Sequence, residues 1–315
     1  MIGITSQHFN LTAIIVSWNT KDLLRQCVSA VFSSLEQLSF QVVVVDNASK
    51  DGSVEMLRES FPDVLLIENK ENVGFARANN QAFKLAGNSK CVLLLNSDAI
   101  LRSETIKTML EFMETNEKAG AVAPALCYPD GGFQPGGGYI PSLQTAFNYF
   151  FFLSVLFPRT YRGLFVDQRK VKLLGKPIRI DWVAGTCMLV RKEVIDSTGG
   201  FDESYFMYAE DAEWCGRIRK GGWDIYYLPY VEIVHYHGAS TKDVSDRWLK
   251  ALIAYMRAEK GVVQTLLFRL IAAGGFLLRS VFYFLASLFT QRKELMQRAY
   301  QMYILSRGFL DLGKN

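Results

Sequence analysis

Short apolar runs alternate with amphipathic stretches through the first hundred residues. Residues 11–16 (Leu-Thr-Ala-Ile-Ile-Val) form a β-rich run that stops at Ser17-Trp18-Asn19. Residues 22–38 carry Leu23, Leu24, Cys27, Val28, Val31, Phe32 and Leu35 on one helical face. Residues 41–45 (Gln-Val-Val-Val-Val) predict a strand buried on both faces of a parallel sheet. The polar turn 46–53 follows, and then a helix over 54–60. Strand 64–68, helix 75–86 and strand 91–95 continue the alternation, the last ending at Asn96-Ser97-Asp98. Such alternation predicts an α/β fold, a parallel sheet covered by helices. In open sheets of this kind ligands bind outside the carboxyl ends of the strands. The polar clusters at 17–19, 46–53 and 96–98 all fall at such ends, which packing alone does not explain.

The pattern changes after residue 127. Residues 128–142 are a loop by composition, rich in Gly and Pro. Its glycines do not follow an apolar strand and lack the Walker spacing, so an active-site or acceptor loop is expected rather than a phosphate loop. Residues 147–157 (Phe-Asn-Tyr-Phe-Phe-Phe-Leu-Ser-Val-Leu-Phe) are too short to cross a bilayer. A core helix and an interfacial insertion both fit, and the density of Phe favours the second. Residues 261–290 are apolar except for Arg269 and Arg279. An arginine near the bilayer centre is unfavourable. The expectation is therefore a basic amphipathic segment lying in the interface, its arginines snorkelling to head groups. A buried helical hairpin or a homo-oligomer interface is the alternative. The predicted division is 1–240 as one α/β domain and 241–315 as a helical, membrane-associated region.

Charge supports the membrane reading. The net charge is +4, but from Lys242 onward there are twelve Lys/Arg against five Asp/Glu. A basic, apolar region suits an anionic membrane surface. No nucleic-acid motif is present, so no nucleic-acid partner is expected. The five cysteines are scattered and form no Cys-x-x-Cys, which fits a reducing cytoplasm and no structural zinc. Residues 1–10 lack the basic and apolar regions of a secretory signal.

Residues 205–214 (Tyr-Phe-Met-Tyr-Ala-Glu-Asp-Ala-Glu-Trp) set adjacent carboxylates, Glu210 and Asp211, inside an aromatic run. An apolar wall raises a carboxylate's pKa towards the range of a general base. Acidic residues in the first turn of a helix are the plainer explanation. His235-Tyr236-His237 follows a predicted strand over 230–234, and alternate residues on an extended segment point the same way. The two imidazoles therefore suit one metal site or a structural pair.

Four pieces occur in order: Asp46-Asn47-Ala48-Ser49-Lys50-Asp51-Gly52-Ser53; Asn72-Val73-Gly74-Phe75-Ala76-Arg77-Ala78-Asn79-Asn80; Asn96-Ser97-Asp98; and the block from Trp182 to Trp223 that contains Glu210-Asp211. Together they resemble the inverting glycosyltransferase family 2, in its rhamnosyltransferase-like branch, over residues 11–240. The resemblance implies a GT-A fold and transfer from a nucleotide sugar, dTDP-rhamnose or a UDP-sugar. The implied acceptor is a polyprenyl-diphosphate-linked saccharide at the cytoplasmic face of a bacterial inner membrane.

Asn96-Ser97-Asp98 sits where the family carries its Asp-x-Asp motif. Mg²⁺ or Mn²⁺ is thus implied, with Asp98 as the charged ligand, Asn96 a ribose or phosphate contact, and His235 completing the shell with His237 as runner-up. Asp46 and Asn47 stand where the family reads the base, beside Ser17, and the Asn47 amide suits an imide edge. Asn72 belongs to the same nucleotide-side set. Arg77 is the candidate for base or phosphate contact, and Gly74 for close backbone approach. By the same resemblance Asp211 is the base, Glu210 its orienting neighbour, and Trp182, Gly185, Glu213 and Trp214 the acceptor side. The processive Gln-x-x-Arg-Trp signature is missing from the Trp214–Trp223 stretch, which implies single addition. The alternative from another class is a non-catalytic sugar-nucleotide-binding partner.

Overall fold

The computed structural model describes residues 10–34, 38–157, 160–167, 175–236 and 245–311. His237 lies outside them. The chain divides into two compact units, Met1–Gly137 with Gln168–Val244, and Gly138–Asp167 with Ser245–Asn315.

The first unit is built on one mixed sheet. Its strands are β1 (Leu11–Ser17), β2 (Phe40–Asp46), β3 (Leu65–Glu68), β4 (Cys91–Asn96), β5 (Ala99–Ile100), β6 (Ala119–Cys127), β7 (Phe133–Gln134), then β9 (Ile178–Ile180), β11 (Cys187–Arg191) and β12 (Asp224–His235). Two short strands, β8 (Gly137–Gly138) and β10 (Trp182–Val183), stand outside it. The order is β3-β2-β1-β4-β11-β6-β12-β5, with β7 on β6 and β9 on β12. The first four strands are parallel, as their unbroken apolar runs predict, and β11 enters antiparallel between β4 and β6. Val42 to Val45 are buried on both faces. The Lys21–Ser34 helix buries Leu24, Cys27, Val28 and Val31, the stripe its spacing predicts. Register aligns the strand ends: Ser17 lies opposite Asp46, and Val16 opposite Asn96. The three polar clusters are thereby brought to one edge of the sheet.

The second unit is helical. Leu143–Phe150 opens on a capping box between Ser142 and Thr145. Ser245–Thr290 breaks at Gly261, whose φ of 80° no helix accepts, and Lys293–Asp311 returns antiparallel to it. Two hydroxyls pin the hairpin: Ser280 donates to Ala299 O and Ser306 to Ala273 O. Phe150, Phe268, Phe276 and Phe309 form its core. Residues 138–167, expected with the sheet, cluster here because Phe150 needs these aromatic partners.

Two expectations change in this unit. Residues 147–157 are neither one core helix nor one insertion: Phe150 is buried, while Phe147, Leu156 and Phe157 are exposed. Arg269 and Arg279 do not snorkel. Arg269 donates to Phe309 O and Leu310 O, and Arg279 to Tyr149 O and Phe150 O. Each cation thus caps the carboxyl end of another helix, where orphan carbonyls and the negative dipole end collect. What remains outside is apolar: Val262, Val263, Leu266, Leu270, Phe282, Leu288 and Phe289 are exposed, Phe289 at 88%. Lys250–Thr290 is long and apolar enough to cross a membrane, by length and composition only.

Candidate active site

The ends of β1 and β4 are joined by a hydroxyl chain. Ser17 Oγ lies 3.1 Å from Thr20 Oγ1, which lies 2.8 Å from Ser97 Oγ, all buried. At the end of β2, Asp46 Oδ2 accepts from Ser49 N at 2.8 Å, while its Oδ1 is buried with no partner. Asn47 is committed internally: its Nδ2 donates to Gly74 O, and its Oδ1 accepts from Asn69 Nδ2. Its amide is thus spent on the loop, while Asp46 Oδ1 is an acceptor left open beside it. Asn72 Oδ1 accepts from Gly74 N, closing an Asx turn, so its side chain too is spent on the loop. Arg77 is mostly exposed, 3.9 Å from Glu203.

Gly74 has φ 85°, and a Cβ there would stand 2.5 Å from Phe206 O. The next amide, Phe75 N–H, donates to that same oxygen at 2.9 Å. Glycine thus lets the 72–75 turn touch the backbone just ahead of the acid pair. Asn80, quoted above without a role, holds that region from the other side. Its amide exchanges two 2.9 Å hydrogen bonds with the backbone of Phe201.

Tyr208 and Ala209 both take left-handed backbone, φ 71° and 70°, and turn the chain sharply into the Glu210–Lys220 helix. Consecutive non-glycine residues in this region store strain, of the kind met at functional sites. Glu210 is 5% exposed, and its Oε2 has no partner. Burial, followed by the Asp211 charge, holds its carboxyl well above the usual range. Asp211 keeps an edge towards solvent. Its Oδ1 accepts from Ala212 N at 2.7 Å and its Oδ2 from Gly185 N at 3.3 Å. Desolvation still outweighs these bonds and raises its pKa to about 6. Gly185 earns its place: a Cβ would press on the Phe75 ring at 3.0 Å. One residue on, Thr186 O accepts from Asn96 N at 2.9 Å, which ties the acid pair's neighbour to the end of β4.

Asp98 and His235 meet because Ala99 pairs with His235 in the β5–β12 ladder and Tyr236 N donates to Asp98 O. Their Oδ1 and Nε2 atoms are 3.1 Å apart, both residues under 9% exposed. Adjacent ligands of an octahedral ion with bonds of about 2.0–2.1 Å stand roughly 3 Å apart. The pair therefore fits as two neighbouring ligands of a hard divalent cation. Among the described residues no group of three or more His, Cys, Asp or Glu is assembled.

Two acceptor-side expectations are corrected. Trp214 is fully buried, donates from Nε1 to Gly199 O at 2.9 Å, and packs on Phe201. It is core, not wall. Glu213 binds Arg217 through both oxygens at 2.7 Å, and Arg217 donates on to Thr198 O and Gly200 O. That clamp commits both Glu213 oxygens to the fold. Trp182 stays half-buried on β10, three residues before Gly185.

Residues 12–198 match the family described as Glycosyl transferase family 2. The chain belongs to glycosyltransferase family 2. Residues 163–309 also match Glycosyl transferase family 21. An N-acetylglucosaminyl-diphospho-decaprenol L-rhamnosyltransferase from Mycobacterium tuberculosis is 30% identical over 64% of this chain and 67% of its own. A dTDP-rhamnosyl transferase RfbF from Shigella flexneri is 25% identical over 72% of this chain and 69% of its own. In fold, the chain is similar to a mannosyltransferase from Pyrobaculum calidifontis solved with GDP-Man and Mn²⁺. That match has TM-score 0.58 and 18% identity, and covers 98% of this chain and 89% of that one. The fold is GT-A, and the family 2 chain is a glycosyltransferase.

Proposed function

We propose that the chain is an inverting, metal-dependent, non-processive transferase that moves rhamnose from dTDP-rhamnose to a polyprenyl-diphosphate-linked saccharide in cell-surface polysaccharide biosynthesis. The names of both rhamnosyltransferase relatives support donor and acceptor. The observation that carries the chemistry is Asp211, held by two backbone N–H groups beside a neutral, buried Glu210.

The acceptor hydroxyl attacks C1 of the donor sugar from the Asp211 side. A new C–O bond forms as the bond from C1 to the diphosphate oxygen breaks, and its electron pair leaves with the nucleoside diphosphate. The hydroxyl proton passes to the Asp211 carboxylate. With a pKa of about 6, Asp211 is ionised at neutral pH yet basic enough to take it. Glu210, kept neutral, spares Asp211 a like charge and holds the base at the surface of the apolar wall. Asp98 and His235 would hold Mg²⁺ or Mn²⁺, which when bound neutralises charge on the departing diphosphate. Asp46 Oδ1 would accept from the imide N–H of thymine or uracil.

The sheet unit carries this chemistry, and the exposed apolar residues of the helical unit supply a surface for the cytoplasmic leaflet, where a lipid-linked acceptor resides. The basic excess after Lys242 supports that assignment. Purified full-length protein given dTDP-rhamnose, Mg²⁺ or Mn²⁺ and a polyprenyl-diphosphate-linked N-acetylglucosamine should form a rhamnosylated lipid with inverted anomeric configuration. Asp211→Asn should bind donor but not transfer. Turnover of a UDP-sugar instead would replace the donor while keeping the chemistry. Wild-type protein that binds nucleotide but never turns over would overturn the proposal.

A further inference from the structure

The tip of the glycine-rich stretch contributes a side chain that the acid and histidine pattern does not reveal. Gln134, on β7, is 2% exposed and lies opposite Leu126 of β6, which in turn pairs with Ile233 of β12. That register carries the Gln134 amide to His235. Its Nε2 donates to His235 O at 2.5 Å, and its Oε1 lies 2.8 Å from His235 Nδ1.

The two ends of a primary amide are not interchangeable here. A backbone carbonyl only accepts, so the –NH₂ end must face His235 O, and this turns the carbonyl end towards the ring. That oxygen has no proton to give, so Nδ1 must carry one. The other ring nitrogen, Nε2, is the atom 3.1 Å from Asp98 Oδ1. A ring flip or the opposite tautomer would set lone pair against lone pair at Nδ1 in a buried place, leaving polar groups unsatisfied.

We propose that Gln134 is a positioning residue that holds the proton of His235 on Nδ1, so that Nε2 presents its lone pair beside Asp98 to a divalent cation. The inference rests on the metal-dependent reading above. Outer-shell partners that fix ring orientation in this way commonly tune metal affinity by about 10–100-fold.

The test uses full-length protein labelled with ¹⁵N-histidine, of which the chain has three. The ring-nitrogen shifts of His235, assigned by its loss in His235→Ala, report the tautomer without metal or turnover. Mn²⁺ binding in the presence of dTDP, read from the free-ion electron paramagnetic resonance signal, reports the ligand role. Wild type should show a protonated Nδ1. Gln134→Leu should mix the tautomers and weaken Mn²⁺ roughly 10–100-fold. Gln134→Glu keeps an acceptor for Nδ1–H and should retain the wild-type tautomer, which covers the case in which the leucine variant does not fold. A ring without a proton on Nδ1 in wild type overturns the inference, as does unchanged Mn²⁺ affinity in a folded Gln134→Leu protein. In the second case Mn²⁺ binding that still fails in His235→Ala leaves the metal reading standing. Wild-type protein that binds no Mn²⁺ overturns both.

Discussion

Arg269 and Arg279 of the helical unit and Glu210 and Asp46 of the sheet unit are all ionisable groups drawn into apolar surroundings, yet they are treated in opposite ways. Each arginine gives its guanidinium to two backbone carbonyls at a helix end. Glu210 Oε2 and Asp46 Oδ1 are buried with no partner at all. Leaving a buried polar atom unmade costs about 1–3 kcal/mol. Where the fold can complete a charged group it does so, and the group is structural. Where it leaves bonding capacity open, at Asp46 on the end of β2 and at Glu210 beside the proposed base, the group belongs to the candidate site. Glu213 and Arg217 show that the sheet unit can also close such a set, two residues from the proposed base.

The contrast breaks most visibly at Asp211. Asp211→Asn should lower transfer by about 10²–10⁴-fold, the usual contribution of a positioned base. Its thermal stability should hold or rise, because a folded state that pushes the carboxyl pKa up disfavours the charge that asparagine lacks. A variant that loses both activity and stability would make Asp211 structural. Arg279→Leu should do the reverse in kind: the carbonyls of Tyr149 and Phe150 lose their donor, and stability should fall by about 2–3 kcal/mol in detergent-solubilised protein. No loss in a chemical unfolding curve would mean the arginine faces outward after all. Phe282→Ser with Phe289→Ser removes two exposed apolar anchors, each contributing about 1.5–3 kcal/mol when fully buried. Affinity for anionic vesicles should fall at least roughly tenfold, with the unfolding midpoint unchanged. Unaltered partitioning would remove this face from the membrane. The smallest effect is in pH: below about 6 the base is protonated, so kcat/KM should fall tenfold per unit, and above it the limb should flatten. A profile flat from pH 4 to 7 would exclude Asp211.

Much of this was legible in the chain. Unbroken β-branched runs mark strands buried on both faces, and their polar endings mark the site, because parallel register aligns those endings. Family resemblance then assigns Asp98 and Asp211 to their chemistry. Side-chain commitments were not legible. Trp214 and Glu213 follow the acid pair closely in sequence, but helical spacing puts Trp214 on the buried face with Glu210, one turn away, and pairs Glu213 with Arg217. Gln134 was hidden for a different reason: a two-residue strand in a glycine-rich stretch has no periodicity, and its partner His235 is about a hundred residues away. Arg269 and Arg279 read as snorkelling because a sequence does not show which carbonyls a neighbouring helix leaves open.

The helical unit draws on two stretches that are far apart in the chain, and this sets an order of events during synthesis. Phe150 leaves the ribosome more than a hundred residues ahead of Phe268, Phe276 and Phe309, the rings that later enclose it. At about 5–20 residues per second, that interval is on the order of 10 s. Throughout it Phe150 lacks the three rings that later enclose it, although Tyr149 can already meet Phe165. The growing chain therefore passes through a period in which a chaperone or a lipid surface can shelter that ring.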